Sequence, residues 1–368
     1  MAGTLVIFQG AGETFPCSLE KQNTPLLCLG TSCHYTASKK SDMLCITHDR
    51  TDPSFNLASE EYVLRNFNDD CFMLWRNRPS IIVGKHQNTL SEINVDYVRK
   101  HQIPVVRRLS GGGAVFHDLG NLNFTFIVAG KPGELIDFRK YTRPVLEVLQ
   151  KMGINARFEG RNDLTIDGKK FSGNAEHIFK NRVLHHGTLL FSSVISDLSD
   201  ALKVNPLKYT DKAVKSVRSR VTNISDHLKA PLDVLAFRDL VMQHVMETSA
   251  GAVPYVFNRE DLEKIDFLVK TKYTTWEWNY GYSPDYGFKK SIRYNGGFIE
   301  FHLDVKKGFI RDIRIYGDFF NTRDINEIYN LLKGMPHDPE KIMGQLRNIP
   351  LGEYFHGIGA EDFIKGLF

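Results

Sequence analysis

Three consecutive glycines, Gly111-Gly112-Gly113, stand between Arg107-Arg108-Leu109-Ser110 and Ala114-Val115-Phe116-His117-Asp118-Leu119-Gly120-Asn121. Each glycine loses more backbone freedom on folding than any other residue, so three together are poor material for a helix or strand interior. The run predicts a loop, and one where backbone comes close to something. Several N–H groups turned the same way beside a fixed positive charge suit an anion such as a phosphate. The run has neither the Gly-Lys-Ser/Thr ending of a Walker loop nor the spaced glycines of a dinucleotide site. Two readings stay open on composition: an anion-binding loop, or a glycine-rich hairpin whose arginine makes a surface ion pair.

A second segment reads Gly160-Arg161-Asn162-Asp163-Leu164-Thr165-Ile166-Asp167-Gly168-Lys169-Lys170-Phe171-Ser172-Gly173-Asn174-Ala175. Leu164 to Ile166 is β-prone, and Asp167-Gly168 predicts a tight type I′ turn with a new strand starting at Lys169. Side chains alternate along a strand, so Lys169 and Lys170 point opposite ways. One faces solvent; the other has room, beside Ser172, Gly173 and Asn174, to reach a ligand. Two solvated hairpin lysines are the plainer alternative.

The third segment is Leu184-His185-His186-Gly187-Thr188-Leu189-Leu190-Phe191. Adjacent strand histidines face opposite sides, and no cysteine follows Cys71, so a zinc site is a poor fit. A hydrogen-bonded strand histidine is the expectation.

Together these segments resemble the lipoate–protein ligase family, enzymes that attach lipoic acid to a lysine of lipoyl carrier domains. Asp52-Pro53-Ser54-Phe55-Asn56-Leu57-Ala58-Ser59-Glu60-Glu61, Trp75-Arg76-Asn77, Gly84-Lys85-His86-Gln87-Asn88 and Lys215-Ser216-Val217-Arg218-Ser219-Arg220-Val221-Thr222-Asn223 extend the resemblance, in the family's own order. It implies an α+β fold: a large catalytic domain of mixed sheets with helices, like that of biotin and lipoate ligases, and a small C-terminal α+β accessory domain. It implies that Arg108 holds phosphate, that Gly113, Ala114, Val115 and Phe116 surround the nucleotide, and that Lys170 is essential. Lys170 and Arg108 would serve both ATP and lipoate. The implied reaction joins lipoate and ATP into lipoyl-AMP, then passes the acyl group to a carrier lysine. Mg²⁺ would accompany the ATP. The implied partners are lipoyl domains of 2-oxoacid dehydrogenase complexes or the glycine cleavage H protein. A transferase that uses only preformed lipoyl-AMP, or lipoyl groups from another carrier, is the alternative.

The residue types suit that chemistry. Adenylation brings a carboxylate and a triphosphate together, and charge builds on the α-phosphate in the transition state. A placed lysine and arginine with backbone N–H groups stabilise it electrostatically, without proton transfer. Further candidates are His117, Asn162, Asp163 (also a Mg²⁺ candidate), His186 and Lys215. His117 with Asp118 also reads as a structural pair, and Lys215 to Arg220 as a solvated basic face. The resemblance makes the latter a loop that orders over the adenylate. Related octanoyltransferases pass the acyl group through a cysteine, which nucleophilic catalysis of that kind requires. All five cysteines here, Cys17, Cys28, Cys33, Cys45 and Cys71, precede the glycine loop, which argues against that route.

Residues 1–42 hold three of those cysteines and no arginine. They do not have the arginine-rich, acid-poor composition of a mitochondrial transit peptide and read as a non-catalytic extension. The expected boundaries are 43–246 for the catalytic domain, 247–262 for a linker and 263–368 for the accessory domain. A net charge of +4 over 368 residues is too small to argue for nucleic acid. No apolar run approaches the roughly 20 residues of a membrane span. Unpatterned cysteines fit a reducing compartment, with a cytoplasmic location expected. Predicted elements include a helix over Leu57–Phe67 capped by Ser54 or Asn56, and strands at Phe72–Trp75, Ile81–Val83 and Val105–Arg107. Helices are predicted over Asn94–His101 and Phe138–Met152, the latter stopped by Gly153. Trp276 and Trp278 are expected to pack.

Overall fold

The computed structural model describes residues 43–130, 137–160, 162–202, 209–211, 221–294, 297–317, 319 and 321–368. The expected 1–42 extension and Lys215 lie outside the described residues. In chain order the strands are β1 (Met43–Thr47), β2 (Asp70–Trp75), β3 (Ser80–Val83), β4 (Val105–Arg107), β5 (Val115–His117) and β6 (Asn121–Ala129). There follow β7 (Ala156–Glu159), β8 (Asp163–Ile166), β9 (Lys169–Phe179), β10 (Arg182–Leu190), β11 (Tyr209–Asp211) and β12 (Ala252–Tyr255). The last are β13 (Tyr286–Tyr294), β14 (Gly297–Lys306) and β15 (Phe309–Gly317).

They form three sheets, ordered β12-β1-β2-β6-β10-β9-β8-β7, β4-β3-β5 and β11-β13-β14-β15. β1 runs parallel to β2 and β12, and β3 parallel to β4; the other pairings are antiparallel. This mixed α+β architecture is the one the sequence led us to expect.

β6 explains why the largest sheet has a dry side and a working side. Its Leu122, Phe124 and Phe126 join Tyr141, Val148 and Phe237 in one core. Those partners come from the helices Phe138–Lys151 and Val234–Thr248. The alternate residues Asn121, Asn123 and Thr125 are equally buried, but on the opposite face. A polar row inside a protein needs partners, and here Asn123 of that row lines the cavity.

The helix Pro53–Asn66 starts earlier than predicted. Asp52, not Ser54 or Asn56, is its cap: Asp52 Oδ1 accepts from the Phe55 N–H at 3.0 Å. Pro53 occupies the first turn, where a missing N–H costs nothing. Ser54 and Asn56 are free for tertiary work. Ser54 Oγ donates to the Tyr273 carbonyl, and Asn56 Nδ2 to the Arg76 carbonyl. The helix Phe138–Lys151 ends as read, with Gly153 at φ +78° just beyond it.

The span 247–262 carries β12, paired to β1 from Met43↔Ala252 to Ile46↔Tyr255, and the start of the helix Arg259–Leu268. In the C-terminal part, Ile299, Phe301 and Val305 of β14 share one core with Ile328, Ile342 and Phe363 of the last helices. That same core includes Ile81, Val83 and Phe116, so the small sheet beside the glycine run packs with the C-terminal part.

Candidate active site

The glycine run leaves β4 at Arg107 and re-enters β5 at Val115. Between them the loop is held from beneath by Arg108. Its Nη2 donates to the carbonyls of Gly111 (2.6 Å) and Gly113 (2.8 Å), its Nη1 to Ile82 (3.1 Å), and its Nε to Ser110 Oγ (3.0 Å). The carbonyls thus turn toward the guanidinium. Glycine is required here: Gly112 sits at φ +90°, and a β-carbon on Gly84 would stand 2.0 Å from the Gly112 oxygen.

Arg107, to which the sequence reading gave no separate role, is fully buried. Its guanidinium donates to the Gly84, Lys85, Gln87, Trp278 and Asn279 carbonyls and to the hydroxyls of Thr89 and Ser283. Burial pulls both arginines down to about 10, which leaves them charged at neutral pH. Trp278 returns a bond, Nε1 to the Arg107 carbonyl at 2.8 Å. Both tryptophans therefore pack, as expected: Trp278 against the root of the glycine loop, and Trp276 against Tyr280 and Phe309.

The lysine hairpin forms as its letters predict. Asp167 and Gly168 have φ of +51° and +71°, the type I′ signature, and Ile166 pairs with Lys169. Lys169 is exposed and Lys170 half-buried. A bulge follows that the letters did not announce: Thr165 pairs with Lys170, but Leu164 with Ser172. Bulges re-aim side chains. Lys170 Nζ ends 2.8 Å from Asp163 Oδ1, inside a cavity of about 540 Å³ that the glycine loop also lines. The chain on the far side of Lys215 returns here too, as Thr222 donates its N–H to the Lys170 carbonyl.

The two histidines of β10 part company as expected. His185 Nδ1 lies 2.9 Å from Glu176 Oε1, and burial lowers its pKa despite that carboxylate. His186 faces the cavity, with Nε2 2.6 Å from Ser110 Oγ and Nδ1 3.0 Å from Glu60 Oε1. Glu60 in turn accepts from Thr125 Oγ1 at 2.5 Å, and Thr125 accepts from Trp75 Nε1 at 3.0 Å. A continuous chain of contacts thus runs Trp75–Thr125–Glu60–His186–Ser110–Arg108.

Of the candidate residues, Arg108, Gly113, Ala114, Val115, His117, Asn162, Asp163, Lys170 and His186 line the one cavity. The side chain of Phe116 does not. Strand alternation sends it into the core that the small sheet shares with the C-terminal part. Asn162 closes one wall, its Nδ2 donating to the Asn174 carbonyl at 2.5 Å. Among the described residues no group of three or more His, Cys, Asp or Glu could hold a metal. Glu60, Ser110 and Thr125 escaped the sequence reading. The available signal was a pair of acids, Glu60-Glu61, set between Leu57-Ala58 and Val63-Leu64 in one helix.

The model of the lipoyl protein ligase A/B catalytic domain matches residues 52–246, and that of the bacterial lipoate protein ligase C-terminus matches residues 283–367. The chain is similar to lipoate-protein ligase LplJ of Bacillus subtilis, at 45% identity over 86% of this chain and 97% of the relative. It is 44% identical to lipoate–protein ligase 1 of Staphylococcus aureus, over 86% of this chain and 96% of that one. A solved lipoate-protein ligase A bound with ATP aligns at 25% identity, covering 66% of this chain and all of the other, with a TM-score of 0.56. A bipartite lipoate protein ligase from Thermoplasma acidophilum, studied with its E2 lipoyl domain, gives 26% identity, 66% and 97% coverage and a TM-score of 0.56.

Proposed function

The chain belongs to the lipoate–protein ligase family and is a ligase, and from that premise we propose that it activates lipoate with ATP and delivers it to a carrier lysine. In the first step a lipoate carboxylate oxygen attacks the α-phosphorus, and the bond to pyrophosphate breaks. In the second, the carrier amine attacks the acyl carbon, AMP leaves, and one proton is lost as the amide forms.

The observation that carries this reading is Lys170 in one cavity with the glycine loop. Lys170 stands as a charged clamp between the acid and the α-phosphate. The loop's backbone N–H groups meet the charge that develops on phosphate. Arg108 contributes largely by holding that loop, since its fork already serves four oxygens. Val115, Ala114 and Gly113 form the wall of the nucleotide. Solved relatives bound with ATP and with lipoic acid support both substrates. Mg²⁺ would accompany the phosphates, and Asp163, the carboxylate beside Lys170, would be the residue to reach it. When bound it neutralises phosphate charge.

A thioester route finds no support among the described residues. Cys45 and Cys71 are buried, which pushes their thiols up to about 11 and about 12. They stay protonated at neutral pH. The carriers we assign are lipoyl domains, because a solved relative was studied with its own E2 lipoyl domain. Pyrophosphate release from ATP and lipoate, without carrier, tests the reading. Lipoate-dependent release makes the protein a complete ligase; transfer from added lipoyl-AMP without release makes it a transferase.

A further inference from the structure

Two large aliphatic side chains stand out into solvent on backbone that is locked in place. Leu119, in the turn between β5 and β6, is 47% exposed, and Val194, just after β10, is 52% exposed. One exposed aliphatic residue is ordinary; these two are tied together. Asp118 Oδ2 accepts from the Val194 N–H at 2.7 Å, and its Oδ1 from the Gly120 N–H at 2.9 Å. The Gly120 carbonyl accepts from the N–H groups of Phe191 (3.1 Å) and Ser192 (2.9 Å). A β-carbon on Gly120 would lie 2.2 Å from the Ser192 oxygen, so the two turns meet with no room between them.

The same strip is tied to Lys170. Asn223 bonds Ser193 twice, its Oδ1 accepting from the Ser193 N–H at 2.9 Å and its Nδ2 donating to the Ser193 carbonyl at 3.0 Å. The preceding residue, Thr222, donates its N–H to the Lys170 carbonyl at 3.0 Å. Residues 222 and 223 thus bridge the strand of Lys170 to the turn that carries Val194. Arg76 adds charge to this edge. Its Nη1 donates to the Leu119 carbonyl at 3.0 Å, and among the described residues no carboxylate pairs with it. Arg238, whose charge reaches Arg76, is taken up by Asp49 and Asp239, each at 2.9 Å.

We propose that Leu119, Val194 and Arg76 form a docking surface for the folded carrier domain, the aliphatic pair covering apolar surface near its acceptor lysine and Arg76 meeting a carboxylate there. The proposal rests on the ligase reading above. The second step needs an amine carried on another protein and brought to the acyl carbon held at Lys170. Aliphatic contacts on locked turns lose little freedom on association. An arginine without a carboxylate of its own supplies charge complementarity to an acidic partner. A small amine needs none of these contacts.

The test separates docking from chemistry in the full chain. Chemistry is read as hydroxamate formed from lipoate, ATP and hydroxylamine, with no carrier present. Docking is read as the KM for an unmodified E2 lipoyl domain in transfer from added lipoyl-AMP. The variants are Leu119→Ser combined with Val194→Ser, Arg76→Glu and Arg76→Lys. The double variant and Arg76→Glu are each expected to raise that KM on the order of tenfold, with hydroxamate formation as in wild type. Saturating domain should restore the rate, and Arg76→Lys, which keeps the charge, should lose less than Arg76→Glu. An unchanged KM in the double variant and in Arg76→Glu overturns the proposal. So does a parallel loss of hydroxamate formation and transfer, because the substitutions then disturb the site itself. A wild type that forms hydroxamate but lipoylates no domain overturns the carrier assignment, and this proposal with it. A wild type that does neither overturns the ligase reading.

Discussion

Arg107 and Asn279, 172 residues apart, are joined twice: the Arg107 backbone N–H donates to Asn279 Oδ1 at 2.9 Å, and Nη2 donates to the Asn279 carbonyl at 3.1 Å. The residue that begins the glycine loop is thereby fixed to the segment that leads into the C-terminal sheet. A buried guanidinium can serve this many oxygens because its donors lie in a planar fork. An ammonium with three donors on one point cannot.

Arg107→Lys is therefore expected to destabilise the protein by ~3 kcal/mol or more, since several buried carbonyls lose their donors. Chemical denaturation measures it. A variant as stable as wild type would mean that those carbonyls find other partners.

Gly84→Ala tests the loop without touching a charge. Its new β-carbon must displace the Gly112 carbonyl, 2.0 Å away. Shifts of about 1 Å in positioned groups cost on the order of 100-fold in rate. Pyrophosphate release should fall by that order in a protein with a wild-type far-ultraviolet spectrum. Unimpaired release would detach the loop's position from the chemistry.

Lys170→Ala should abolish adenylate formation, on the order of 100-fold or more, with little change in Tm. The Lys170–Asp163 pair is part-exposed at 29% and 33%, and such pairs add little to stability. Lys170→Arg keeps charge but not shape and is expected to remain impaired. Adenylation by the alanine variant at the wild-type rate would remove Lys170 from the site.

Acid should weaken the fold in a defined window. His117 and His337 are buried, and burial lowers their pKa from 6.5 to about 3 and about 4. Below 6.5 the unfolded chain takes up protons that the folded one refuses, so stability falls as pH drops. Each contributes about 1.4 kcal/mol per pH unit between pH 6.5 and its folded value. Urea denaturation from pH 7 to 4.5 should show the slope, and His337→Phe should reduce it. A flat profile would mean that these rings ionise in the folded state.

Much of this was legible in the letters because it is local. Asp167-Gly168 imposes a type I′ turn by φ alone, and period two places Lys169 and Lys170 on opposite faces. Three glycines exclude regular structure. The adjacent histidines had to diverge. Even the Asp52-Pro53 start was available, although a side chain that can cap does not say whether it is needed elsewhere. Ser54 and Asn56 were needed elsewhere, by Tyr273, Arg76 and Asn77.

What the sequence by itself determined is the inventory: an anion-suited loop, a poised lysine and the family that arranges them. Tertiary structure alone decided the assignments between distant segments. It gave Arg107 its acceptors at 84–89 and 278–283, and turned Arg108 onto the loop's own carbonyls. It inserted the bulge that aims Lys170, drew Glu60 to His186, and sent Phe116 into a core. Backbone dihedrals and side-chain alternation are set by neighbours in the chain. A buried donor or acceptor must instead be met by whatever the fold brings within about 3 Å, and no local pattern encodes that.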